Sequence, residues 1–362
     1  MARERILAVR FCWHEWIRLD TFWGYGFRPL GVKLPKAIPV ITIFLFQDAF
    51  IIAGVLVFFK YLKYFCIAIF VILMIGQFIV NGVITGIIYS LLAIGFAVVY
   101  NTTRIFHIAA AGIYVFAAYM FWLLVSVFSL PVLAAFLVAI VLTMLLSLLT
   151  ELVVYRPLKN RNASMNVMMI ASIGLMTVIV NVIAMFFGNE TKVIENKLLA
   201  PFHWGDIIIT QPQMYQAVVG GAVIMGFAIF LLCTRWGLKL RALSTDEALF
   251  ETLGFDTRLT RTNVFLVSGA FIAIGSCLTV YDVGLDPNMG MSVIINAMVA
   301  MIIGGVGKFN TCVLGGIALG VLQSLTVYAF ASNWQNAVTF LVLLIFLFLR
   351  PQGIAGYKQR TV

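Results

Sequence analysis

NGVITGIIYSLLAIGFAVVY, residues 81–100, is a stretch of twenty residues without a single charge. From Val83 to Tyr100 it forms one apolar run with no turn cluster to interrupt it. About 20 residues of helix span roughly 30 Å, the thickness of a bilayer's hydrocarbon core. A barrel strand would instead show about ten residues of alternating polarity. The run therefore reads as a membrane-spanning helix, and the chain repeats it. Further apolar runs lie at 37–59, 62–80, 105–128, 131–154, 167–187, 214–234, 262–282, 291–303, 311–331 and 335–349. The run at 291–303 is short for a span and leads into Gly-Gly-Val-Gly, the mark of a broken or re-entrant helix. The expected fold is all-α, a polytopic transmembrane helix bundle of about 10 spans with a short or broken helix near 291–305.

Composition agrees. Hydrophobic residues make up 63% of the chain, against roughly 45–50% in soluble domains. A soluble globule has no place for so much apolar surface. The five cysteines form no CxxC pair, and the three histidines lie too far apart for a metal site. No metal, cofactor or nucleic-acid partner is expected, and no short cleavable signal peptide is read at the start. Residues 1–76 read as an N-terminal extension with an interfacial amphipathic region and one or two apolar helices. The net charge of +10 fits basic cytoplasmic loops.

Orientation follows from those charges. From residue 101 onward, alternation of spans puts Arg104, Arg156, Lys159, Arg161, Arg235, Lys239, Arg241, Arg258, Arg261, Lys308, Arg350, Lys358 and Arg360 on one side. Only Lys192 and Lys197 fall opposite. The basic side, with the C-terminus, is expected in the cytoplasm.

One segment on that side is unusually charged: RALSTDEALFETLGFDTR, 241–258. Ser244 followed by Glu247 has capping-box spacing. Asp246 and Glu247 suit the positive end of a helix dipole. Gly254 stands where a left-handed C′ residue belongs, followed by apolar Phe255. The expected helix runs from Thr245 to Leu253. Leu249 and Leu253 share a face at i, i+4, flanked by Ala248 and Phe250. A nine-residue helix is marginal alone; it is either a polar connector or a helix that docks its apolar face on a cytoplasmic partner.

Motifs for chemistry are missing. IIGGVGKFN (302–310) is not a phosphate loop, because Ile302 stands five before Gly307 and Phe309 follows the lysine. Its Gly304, Gly305 and Gly307 read instead as a turn of small residues. Gly316 and Gly320 form a GxxxG that allows close helix approach. No GxSxG, HExxH or catalytic acid pair is found, so the chain is not expected to be an enzyme. Polar residues inside apolar runs mark a candidate translocation path, because lipid penalises them: Asn81, Thr85, Tyr89, His107, Tyr114, Asn181 and Asn296, with Asp282 and Asp286 near the outer end. Each also has a plain packing role open to it. Between residues 64 and 350, Glu151 is the only acidic residue well inside a run, which argues against a proton- or sodium-coupled carrier.

Seven segments in order carry a resemblance: NGVITGIIYSLLAIGFAVVY (81–100), IYVFAAY (113–119), ASIGL (171–175), RALSTDEALFETLGFD (241–256), DPNMG (286–290), GGVGKF (304–309) and FLRPQGI (348–354). Residues 77–356 resemble the transmembrane permeases of ABC importers for branched-chain amino acids, a family that includes urea and amide permeases. The resemblance implies a bacterial cytoplasmic-membrane subunit whose domain spans 77–356, followed by a cytoplasmic tail at 357–362. It implies a second, similar permease, two ATP-binding subunits and a periplasmic or lipid-anchored solute-binding protein. The segment 241–256 would then be the loop that docks on the ATPase. Ala109–Gly112, Asn296 and Asn310-Thr311 depart from the family's common residues, and the first two remove polar groups, which favours a more apolar or uncharged solute. The competing reading is a secondary transporter or passive channel that works without an ATPase.

Overall fold

The computed structural model describes residues 74–194, 202–204, 207–305, 307, 309–350 and 353–354. The expected amphipathic region, the run 37–59, most of 62–80 and the tail lie outside these residues. Eight helices among those described are long and apolar enough to cross a membrane. In chain order the helices are α1 (Met74–Thr103), α2 (Ala110–Val127), α3 (Val132–Asn160), α4 (Met165–Phe187), α5 (Gln211–Cys233), α6 (Arg235–Thr245), α7 (Glu247–Thr252), α8 (Thr257–Val283), α9 (Met289–Gly304), α10 (Phe309–Ala329) and α11 (Gln335–Leu349). The short helices α6 and α7 do not span. As expected from its run, α9 is shorter than the spans: 16 residues, about 24 Å.

The end of the run 62–80 continues without a break into 83–100 as α1. Gly82 does not interrupt the helix because it is a packing residue there. A Cβ on Gly82 would lie 2.7 Å from the Val321 backbone, and one on Gly86 would lie 2.7 Å from that of Ile317. On the facing helix, a Cβ on Gly320 would lie 2.4 Å from the Gly82 carbonyl oxygen, and Gly316 is closed in the same way by Ser90. The expected Gly316/Gly320 pair on α10 thus meets a second pair at the same spacing, Gly82/Gly86 on α1. Backbone rests on backbone, where a side chain would not fit.

Helices α1, α2 and α8 are the most buried, and α3, α4, α5 and α11 show most of their surface. Helix α8 packs on α2, α3 and α5, while α9 packs on α2, α10 and α11. Two helices contain a π turn: α2 ends in Leu123–Val127 and α3 carries Glu151–Tyr155.

Contacts sort the connectors into two ends. At one end Arg104 bonds the Ser244 carbonyl at 3.0 Å, Gly307 bonds Asn101 at 3.1 Å, and Ile354 bonds Ile303 at 2.9 Å. The Gly-rich turn there takes left-handed φ values of 109° at Gly305 and 101° at Gly307, and the chain near Gly353 presses on it. At the other end a two-stranded antiparallel hairpin forms, β1 (Phe202–Trp204) with β2 (Ile207–Ile209). The Gln77 side chain holds Ile208 by both its backbone groups, each at 2.9 Å.

Candidate functional site

The charged segment folds as two helices, which corrects the expected Ser244 cap. Thr234 caps α6 by accepting from Gly237 N at 3.1 Å, and the helix then runs through Ser244. The hydroxyls of Ser244 and Thr245 both donate back to the Arg241 carbonyl, at 2.8 and 2.9 Å, and Ser244 lies within α6 rather than at the start of a helix, so it caps nothing. The chain becomes extended only at Asp246 (φ −152°). Its Oδ1 accepts from Leu249 N at 3.1 Å, and α7 is six residues rather than nine. Glu247 is therefore free of a capping box and pairs with Lys159 of α3. The expected C-terminus is as read: Gly254 takes φ +82° and bonds Glu251 O at 2.9 Å.

Burial divides α7 into an anchor and a free face. Phe250 is 1% exposed and its ring stacks on Phe255 at 5.0 Å. Leu249 and Leu253 are 57% and 63% exposed, with Phe255 beside them. The helix α6 was not read from sequence, although Gly237, Leu240 and Leu243, all buried, have the three-residue step of an amphipathic helix behind a threonine cap. The result is a platform of two short helices, fixed to α3 by an ion pair and to the α1–α2 connector by Arg104.

Inside the bundle, Tyr89 and Asn296 are brought together, and two residues missed in the sequence complete their site. The Tyr89 hydroxyl donates to Gln323 Oε1 at 2.8 Å, Gln323 Nε2 to Asn296 Oδ1 at 3.1 Å, and Asn296 Nδ2 back to the Tyr89 oxygen at 3.4 Å. Gln323 Nε2 also donates to the Thr339 hydroxyl at 2.6 Å. This closed ring joins α1, α9 and α10, and Thr339 ties it to α11. A glutamine midway along an apolar run was the available signal. On α1, the polar residues Gln77, Asn81, Thr85 and Tyr89 recur every four positions. Asn81 is half-buried and accepts from Gln77 at 3.1 Å, while Thr85 is exposed. Tyr114 is buried on α2, facing Thr279 and Tyr89.

His107 and Asn181 lie apart from this group. Asn181 is exposed on α4 and bonds its own helix at Thr177 O. His107 sits in the α1–α2 connector, fully buried, with Nδ1 2.8 Å from the Tyr155 hydroxyl and its ring edge-on to Phe265. Tyr155 is also hydrogen-bonded to Ser172 Oγ at 2.8 Å, which accepts from Ala109 N at 2.8 Å. Burial pushes the His107 pKa down to about 3 from the ordinary 6.5. The sign is fixed: below pH 6.5 the unfolded chain binds a proton that the folded chain refuses, so stability falls as pH drops from 6.5 towards 3. At pH 5 the loss is on the order of 2 kcal/mol. Thermal unfolding at pH 5 and 7.5 should show a lower midpoint at pH 5, and the part due to His107 should vanish in His107→Gln.

These features define a polytopic membrane protein: a tightly packed helix bundle with a polar interior group and a two-helix platform at one end. Residues 78–347 match the family model described as branched-chain amino acid transport system / permease component, and the chain belongs to that family. It is 28% identical over 297 residues to the high-affinity branched-chain amino acid transport system permease protein BraD of Pseudomonas aeruginosa, covering 78% of this chain and 96% of BraD. It is 25% identical to LivH of Escherichia coli, covering 77% and 94% of the two chains. A probable LivH of Methanocaldococcus jannaschii is also 25% identical, with 76% and 92% covered.

Proposed function

We propose that this permease is the membrane subunit of an ATP-driven importer and couples to a separate ATPase through α6 and α7. The observation that carries the reading is the exposed Leu249/Leu253 face at the basic end of the bundle. Ten of the eleven described lysines and arginines after residue 100 belong to that end, and Lys192 alone to the other. That imbalance supports a cytoplasmic α6–α7 platform and C-terminus in a bacterial inner membrane. The assembly would contain a second similar permease, two ATP-binding subunits and a solute-binding protein, with residues 77–356 as the transmembrane domain. The path would run along the Gln77–Tyr89 stripe to the Tyr89–Asn296–Gln323 ring. These described groups are all uncharged, which suits a neutral or zwitterionic solute such as a branched-chain amino acid, or an amide. Proteoliposomes holding the full assembly should accumulate radiolabelled leucine only with ATP and the binding protein. Equal leucine uptake by this chain alone, without ATP, would establish the carrier or channel reading instead.

A further inference from the structure

The inward side chains of α3 keep a four-residue step: Ala135, Ala139, Thr143, Ser147, Glu151 and Tyr155 are all buried. An α-helix turns once in 3.6 residues, so each step drifts about 40° around its axis. Over the five steps from Ala135 an unbroken α-helix would carry the stripe about 200° round. The π turn Glu151–Tyr155 winds wider and takes back part of that drift. Tyr155 therefore still meets His107 and Ser172, and Lys159, one step further, still reaches Glu247. The Lys159–Glu247 pair is the only ion pair among the described residues.

Two opposite charges are buried beside this turn and left unjoined. Glu151 and Arg261 are each 4% exposed. Glu151 Oε2 and Arg261 Nε and Nη2 have no hydrogen-bond partner among the described residues. Arg261 comes from the start of α8, which packs on the π turn, and faces Glu151 without forming an ion pair. Unpaired buried charges are unfavourable, and Arg261 is the foremost of the three cations, with Arg156 and Lys159, whose field acts on Glu151. A π turn can rearrange: its conversion to α-helical bonding shifts the downstream register by one residue, up to about 100° of rotation.

We propose that the π turn Glu151–Tyr155 is a rotary switch between α7 and the bundle. Its closure turns residues 156–160, moves Lys159 together with the α7 helix it grips, and lets Glu151 join Arg261. The proposal rests on the ATP-driven reading above. Its test uses the complete assembly in proteoliposomes, with leucine uptake and ATP hydrolysis measured together. Lys159→Glu and Glu247→Lys should each lower leucine moved per ATP at least tenfold while hydrolysis persists, and the double reversal should recover it to within about threefold of wild type. In a Glu151→Cys/Arg261→Cys variant, a short bifunctional thiol reagent should crosslink several-fold faster in one nucleotide state than in the other, measured against each single cysteine. Normal transport per ATP in both single reversals, a double reversal as impaired as the singles, or equal crosslinking in nucleotide-free and ATP-trapped assemblies overturns the switch alone. Absence of ATP-dependent uptake by the wild-type assembly overturns the ATP-driven reading, and the switch with it.

Discussion

Gly320→Leu is expected to abolish accumulation of folded protein in the membrane, the largest single effect anticipated for this chain. The first side-chain carbon alone would stand 2.4 Å from both the Gly82 carbonyl oxygen and the Gly86 nitrogen. Overpacking ordinarily costs about 1–3 kcal/mol because neighbouring side chains can give way. Here the neighbour is backbone in the middle of a spanning helix, which cannot yield without separating α1 from α10. Separation would also pull Tyr89 away from Gln323 and Ser324 away from the Phe78 carbonyl, now at 2.8 and 2.6 Å. Gly221→Leu is the control, since a Cβ there meets nothing within 4 Å. Membrane fractions should contain wild-type amounts of Gly221→Leu and at least tenfold less Gly320→Leu. Equal amounts of the two would show that the crossing is looser than described.

The second expected result is a loss of function without a loss of fold. Leu249→Asp combined with Leu253→Asp should leave membrane insertion and thermal stability near wild type, because both side chains are more than half exposed and make no core. Surface changes of this kind usually fall within about 0.5 kcal/mol. ATP-dependent uptake by the reconstituted assembly should nevertheless drop at least tenfold, as two carboxylates cannot enter an apolar groove on a partner without stranding charge. Retention of the ATP-binding subunits on affinity-purified permease should drop in parallel. Full retention and full uptake would remove α7 from the docking role and leave it a connector.

The spans were legible in the sequence because hydrocarbon imposes a length and forbids charge, and both constraints show in a linear string. The left-handed Gly254 and the Gly316/Gly320 pair were legible for the same kind of reason: each is a local requirement that glycine alone meets. What could not be read was whatever depends on a partner far along the chain. The cap at Ser244, by contrast, was misread for a local reason: α6 continues through it and Asp246 takes the cap instead. Gly82 and Gly86 gain meaning only from α10, some 230 residues away. His107 looked like a polar group near a pathway. Its place among Tyr155, Phe265 and Ser172 is a tertiary fact that no periodicity announces.

The hydrogen-bonded ring has a direction, and a residue outside it sets that direction. Thr339 gives its only hydroxyl proton to the Gln335 carbonyl at 2.9 Å, so it can only accept from Gln323. That fixes which way the Gln323 amide faces, and with it Asn296 and Tyr89 in turn. Tyr89 gives its own proton to Gln323 and has only a lone pair to offer the half-open stripe along α1. Any solute group that meets Tyr89 there must therefore bring its own proton. A threonine on α11 thus determines whether Tyr89 presents a donor or an acceptor on the α1 face.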